Sequence, residues 1–116
     1  MARYATPRRG DVWMVDLDPG IGHEIRKTRP CVVVTNDLYN ANNWVVLVVP
    51  LTSQATARYD QVLMMPPEGG RTTASVTLPD QLTAIDRGRM RRKLGRLTPA
   101  KILGIDESLK IVLDLT

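Results

Sequence analysis

The sequence predicts a small, mostly antiparallel β-barrel or strongly bent sheet with one C-terminal helix. Three observations predict it. Short apolar runs rich in valine recur up to Leu97, separated by Pro, Gly and Asn/Asp punctuation. After Thr98-Pro99 the hydrophobic period switches to that of a helix. A length of 116 residues suits one domain with one core, so residues 1–116 are read as a single unit.

Each element has a local reason. Residues 12–17 form a first strand, bounded by Gly10-Asp11 and by the turn signal Asp18-Pro19-Gly20. Pro30 opens the next run, residues 31–35, where its missing N–H costs little. Asn36-Asp37 ends that run, and Asp37 is placed to cap a short helical turn through Leu38-Tyr39-Asn40. Residues 44–49 make an apolar strand closed by Pro50, and residues 61–65 a shorter one. Pro66-Pro67-Glu68-Gly69-Gly70 follows, with Gly69-Gly70 read as a hairpin turn. Residues 75–78 and 81–85 alternate in polarity, with a bend or bulge at Pro79-Asp80 between them. Residues 92–97 are a last, polar strand.

At the C-terminus, Thr98 offers a hydroxyl at the N-cap and Pro99 occupies the first helical position. Ile102, Ile105, Leu109 and Val112 then make one apolar stripe. Gly104 inside it costs about 1 kcal/mol relative to alanine, so packing is expected to hold it. Trp13 and Trp44, both in strand runs, are read as core or dimer contacts.

Composition narrows the function classes. A hydrophobic fraction of 43% argues for a folded globule. The apolar runs are far below a membrane span, and residues 1–5 carry no apolar signal segment, which together suggest a soluble cytoplasmic protein. Cys31 is expected to be a small buried residue. One histidine and one cysteine cannot build a zinc site of the usual kind. There is no P-loop glycine pattern and no acidic cluster for magnesium, so no cofactor is expected. Any chemistry then falls to Arg, Glu and hydroxyl groups.

The net charge of +4 is unevenly spread. Residues 86–96 hold six basic side chains and one acid, and further groups lie at Arg3, Arg8, Arg9 and at Arg26, Lys27, Arg29. Arginine dominates, and its planar fork suits phosphate. The pattern points to an anionic partner, either nucleic acid or an acidic protein tail. The run from Arg89 to Arg96 also reads as a solvated edge strand guarded against aggregation.

The chemically richest stretch is Gly22-His23-Glu24-Ile25-Arg26-Lys27-Thr28-Arg29-Pro30, a polar loop between two strand runs. An acid close to fixed cations is what attack on a phosphodiester needs, because a proton must leave and phosphate charge must be held.

Four ordered blocks resemble the MazF/PemK (Kid-like) family of toxin endoribonucleases. They are Arg9-Gly10-Asp11-Val12-Trp13 with Asp16-Leu17-Asp18-Pro19; Gly22-His23-Glu24 with Arg29-Pro30; Val48-Val49-Pro50-Leu51-Thr52-Ser53-Gln54; and Asp80-Gln81-Leu82-Thr83-Ala84-Ile85-Asp86 leading to Arg89. The resemblance implies an SH3-like, Kid/CcdB-type β-barrel with short helices and a C-terminal helix. It also implies a metal-independent, sequence-specific endoribonuclease acting on single-stranded RNA, usually as a homodimer. The implied partner is an antitoxin with an acidic, disordered tail.

Carried over by position, Arg29 and Thr52 match the family's catalytic pair and Glu24 an acidic position used in some members. Gln54 resembles a substrate-contacting position. Further substrate contacts are expected from His23, Lys27, Ser53, Arg58, Gln81 and Arg87, with base readers between residues 53 and 60 and near residues 70–73. Two alternatives share the fold: a non-enzymatic toxin that inhibits DNA gyrase, and an RNA-binding barrel without turnover. The gyrase-trapping proteins end in Trp-Gly-Ile, whereas this chain ends Leu113-Asp114-Leu115-Thr116.

Overall fold

The computed structural model describes residues 6–17 and 27–115. In chain order these form β1 (Asp11–Asp16), β2 (Thr28–Val33), α1 (Asp37–Asn42), β3 (Val45–Ser53), β4 (Leu63–Met64), β5 (Ser75–Thr77), β6 (Thr83–Asp86), β7 (Met90–Arg96) and α2 (Pro99–Leu113). Short 3-10 turns lie at Glu68–Gly70, Pro79–Gln81 and Arg87–Arg89. The strands run β4-β5-β3-β2-β1-β7 across one strongly bent antiparallel sheet, with β6 alongside the first half of β3. This is the expected β-barrel architecture with its terminal helix.

Strand alternation divides the apolar residues between two faces. One face gathers Trp13, Val15, Cys31, Val33, Val46, Val48 and Ile85. The other gathers Val12, Val32, Leu51, Met64 and Leu97, and α2 lies on it through Ile105, Ile102 and Leu109. The helical stripe read from the sequence is therefore the face that docks.

β3 organises the sheet. Its first half pairs with β6 (Val45↔Asp86 to Val48↔Thr83) and its second half with β5 (Leu51↔Thr77 to Ser53↔Ser75). Pro50 does not close this strand, contrary to expectation; the strand runs through it to Ser53. Its carbonyl accepts the N–H of Leu78 at 2.8 Å. A proline is tolerated there because β3 changes neighbours at that rung, so no ladder donor is demanded.

Pro30 likewise sits inside β2 instead of opening it, opposite Met14. Val34 N–H reaches Leu47 across the β3 ladder, while the Val33 carbonyl accepts from Gly10 on the β1 side. By alternation the Pro30 nitrogen faces β3 and has no hydrogen to give. The β2–β3 pairing accordingly ends at Cys31↔Pro50, whereas β1–β2 pairing continues to Asp16↔Thr28.

Other local expectations shift for identifiable reasons. Asn36, not Asp37, caps α1: its side chain accepts the Tyr39 N–H at 2.7 Å. Thr98 is the N-cap of α2, but its hydroxyl makes no cap bond; its own N–H is held by Glu68 Oε2 at 2.6 Å. The strand expected at 61–65 shrinks to two residues. Gln61 is turned to accept the Arg58 N–H, and Val62 donates to the Thr77 hydroxyl. Gly69-Gly70 belongs to a 3-10 turn, where the backbone of Gly70 crosses β7: a Cβ there would stand 2.1 Å from the Leu94 carbonyl oxygen. Trp13 is buried, but Trp44 is 55% exposed and is not a core residue.

Gly104 differs from expectation in a useful way. A Cβ added there would meet Val62 at 3.5 Å, an ordinary contact. Gly104→Ala is therefore expected to stabilise the protein by about 0.5–1 kcal/mol. Chemical denaturation with an unchanged slope measures this, and a lower midpoint would mean that the helix cannot hold the added methyl group against Val62.

Candidate active site

β2 and β3 present Arg29 and Thr52 to one another. Their last pair is Cys31↔Pro50, and the same antiparallel offset carried two residues further sets Arg29 across from Thr52. Alternation puts Arg29 on the face of Cys31 and Val33, and Thr52 on the face of Val46 and Val48, which is the same face. The register thus brings together two side chains 23 positions apart in sequence. Pro30 ends the ladder between them, so they flank an opening in the sheet instead of a closed rung.

Both residues are half-buried. On its other side Arg29 is opposite Val15, a fully buried residue of β1. Among the described residues no carboxylate pairs with the Arg29 guanidinium. Its charge acts on the neighbouring Cys31 thiol instead. Burial pushes that thiol up to about 12, and the Arg29 charge pulls it only partly back.

Cys31 is the buried residue that the sequence predicts, not a nucleophile. Its raised folded-state value means that the thiol contributes stability below the unfolded thiol's ordinary range. That contribution is lost as the pH rises from about 9 towards 12. Iodoacetamide at pH 8 is expected to leave Cys31 unmodified until denaturant is added; rapid labelling of native protein would contradict the burial.

The other expected contacts divide into three groups. Ser53 and Gln54 continue β3 past Thr52. The Ser53 hydroxyl lies 3.1 Å from that of Thr73, while the Gln54 amide donates to the Thr56 carbonyl at 2.6 Å. Gln81 ends the turn after β5; its N–H bonds Leu78, whose own N–H bonds Pro50, so it stands close to this end of β3. Lys27 is exposed at the start of β2 with a left-handed φ of 65°.

Arg58 lies on the exposed loop after β3, paired with Asp60 at 3.3 Å. Arg87 is elsewhere. Its N–H bonds Trp44 at the opposite end of β3, roughly 25 Å from Thr52 along an extended strand. There its guanidinium stacks 5.3 Å from the Trp44 ring centre and donates to the Asn40 and Asn43 carbonyls. The structure does not bring Arg87 to the others. His23 and Glu24 lie outside the described residues.

Ser75 carries no signal of its own in the sequence, and Arg71 falls within the expected base readers near residues 70–73. Ser75 is fully buried across from Ser53 and accepts from Arg71 Nε at 2.9 Å. The visible signal is an arginine followed by a stretch of small hydroxyl residues.

The chain as a whole has counterparts among known proteins. A family model described as PemK-like, MazF-like toxin of type II toxin-antitoxin system matches residues 8–113. The chain belongs to the PemK/MazF toxin family. Endoribonuclease MazF9 of Mycobacterium tuberculosis is 40% identical over 114 residues, covering 93% of this chain and 97% of that protein. Endoribonuclease EndoA of Bacillus subtilis is 32% identical over 110 residues, covering 93% and 95%. A mycobacterial endoribonuclease solved with its cognate antitoxin superposes with a TM-score of 0.79 at 26% identity, covering 95% of this chain and 97% of that one. MazF from Deinococcus radiodurans shares the fold with a TM-score of 0.82 at 23% identity, covering 96% and 99%. The MazF-like barrel is therefore matched over almost the full length compared.

Proposed function

We infer that this MazF-like chain is the toxin of a toxin–antitoxin pair and an endoribonuclease that cuts single-stranded RNA. Membership of the family and the relatives named endoribonuclease support the activity. The observation that carries the site is the pairing register that turns Arg29 and Thr52 to one face across the gap at Pro30. We take residues 1–116 as one toxin domain that acts as a homodimer in the cytoplasm. Among the described residues no helix is long and apolar enough to cross a membrane. An antitoxin with an acidic tail is the proposed partner, as the structural relative solved with its cognate antitoxin suggests.

The reaction follows from what these groups can do. The 2′-OH of the substrate attacks the adjacent phosphorus, the 5′ oxygen leaves, and the products are a 2′,3′-cyclic phosphate and a 5′-OH. The nucleophile belongs to the substrate, so the protein must mainly hold charge on the phosphate. Arg29 supplies a permanent cation and a fork of donors for the non-bridging oxygens. Thr52 adds a neutral donor from the facing strand. The guanidinium keeps its protons, so it serves as charge and donor and another group must take the 2′ proton. Glu24 is the proposed base, and Gln54, Ser53 and Lys27 hold the flanking nucleotides.

Purified protein incubated with RNA in EDTA, followed by sequencing of the fragments' 5′ ends, tests the reading. Discrete 5′-OH ends sharing a short motif, opposite cyclic phosphates, are expected. Intact RNA in the same assay, or cutting that needs a divalent ion, would overturn the proposed mechanism.

A further inference from the structure

We propose that Arg71 is an RNA-phosphate-binding residue, holding a nucleotide beside the scissile linkage through a guanidinium that Ser75 aims from the end of β5. This deepens the endoribonuclease reading and rests on it.

Among the described residues, seven cationic side chains reach a carboxylate, from Arg8–Asp37 to Lys110–Glu107. Arg87 is satisfied by two carbonyls and the Trp44 ring. Arg29 and Arg71 are half-buried guanidiniums with no acid partner among the described residues, and both lie towards the same end of β3. A partly desolvated cation without a counter-charge is costly, and an incoming anion relieves that cost.

Arg71 is held in place. Its Nε donates to the buried Ser75 hydroxyl at 2.9 Å, which in turn donates to the Thr73 carbonyl at 3.0 Å. Its N–H bonds the Glu68 carbonyl at 3.1 Å. One edge of the guanidinium is thereby fixed, and the terminal nitrogens carry no further bond among the described residues. Burial lowers its pKa without removing the charge.

The neighbourhood is that of a strand-crossing site. Ser53 pairs with Ser75, Gln54 N–H bonds the Ala74 carbonyl at 3.0 Å, and the Ser53 and Thr73 hydroxyls meet at 3.1 Å. Thr52 and Ser53 project to opposite faces of β3. Arg71 therefore does not share the scissile phosphate with Arg29. It stands over the rim, where an RNA strand leaving the gap crosses the end of the sheet. An acidic peptide offers similar charge, but hydroxyls beside a guanidinium suit a sugar–phosphate chain better than a carboxylate alone.

The test uses full-length protein and an uncleavable 2′-O-methyl RNA carrying the motif found by end sequencing, or a mixed-sequence pool if none is found. Binding is measured against salt for the parent, Arg71→Met and Arg71→Lys. Arg71→Met is expected to bind about tenfold more weakly, with a salt slope smaller by about 0.7, the value for one phosphate on a single strand. Arg71→Lys should keep the parent's slope while binding a few-fold more weakly. In a scan of single neutral methylphosphonate linkages, one position flanking the cut should weaken the parent and leave Arg71→Met unaffected.

An unchanged slope and scan in Arg71→Met overturns the assignment while leaving the nuclease intact. Loss of affinity for a polyglutamate peptide with RNA binding unchanged overturns it in favour of an acidic protein ligand. A parent that binds no RNA at all sinks the endoribonuclease reading as well. If Arg71→Met fails to fold, the scan on Arg71→Lys decides: the flanking linkage must then remain sensitive.

Discussion

Arg29→Ala is expected to slow RNA cleavage by about 10³-fold or more while leaving the fold intact. One donor aimed at developing oxyanion charge is worth about 10²–10³ in rate, and here the donor also carries the permanent charge. Thr52→Val, which removes a neutral donor of similar shape, should cost about 10²-fold.

The expected effect of Arg29→Ala on stability runs the other way. Arg29 is half-buried and pairs with no acid among the described residues, so its removal breaks no ion pair there. The melting temperature should hold or rise slightly, as is common where a functional group sits at a cost to the fold. Single-turnover cleavage and thermal unfolding on the same preparation check both halves. Cleavage at the parent rate would remove Arg29 from the mechanism. A large drop in melting temperature would recast it as a structural residue.

The largest expected loss of stability is at Asp11. Its carboxylate is only 2% exposed and serves four groups. Arg96 Nη1 lies at 3.0 Å, Lys93 Nζ at 3.4 Å, the Arg8 N–H at 2.9 Å and Trp13 Nε1 at 3.3 Å. It thus ties the start of β1 to β7, the edge strand of the sheet among the described residues. Asp11→Ala leaves the buried Trp13 indole N–H without its acceptor and two cations without their counter-charge. We expect a loss of about 3 kcal/mol, less than the upper range for a buried pair because both cations are half exposed to water. That corresponds to a fall of roughly 12–20 °C in a domain of this size. Asp11→Asn keeps an acceptor for Arg8 and Trp13 and should lose about half as much. Denaturant titration of the three proteins decides it; a loss below about 0.5 kcal/mol in Asp11→Ala would make the cluster incidental.

Much of the architecture was legible because hydrophobic period and punctuation agreed. The β1 run, the alternating pair around Pro79 and the 102-105-109-112 stripe all report directly which side chains are buried. The misread positions share one cause. Proline usually marks a strand boundary, but Pro30 and Pro50 each lie within a strand at a rung where no neighbour asks for an N–H. That demand is set by which strands pair, which local sequence does not contain. Asn36, one residue before Asp37, caps α1 by accepting from Tyr39, and Thr98 is anchored through its own N–H to Glu68, 30 residues away, while its hydroxyl makes no cap bond.

The same holds at the site. Arg29 and Thr52 could be singled out only by resemblance, since their meeting depends on β2–β3 register. Arg87 looked equally suitable on charge alone, yet β6 carries it to the far end of β3 beside Trp44. Arg71 was hidden because its orientation comes from Ser75, a serine that looks unremarkable until the β3–β5 pairing buries it.

The proline in the middle of β2 also bears on how fast this protein meets its target. Since the imide nitrogen at position 30 cannot bridge to the neighbouring strand, the aperture beside it cannot zip shut when empty. Capture of a polynucleotide there should draw on attraction between opposite charges and slow steadily as ionic strength rises.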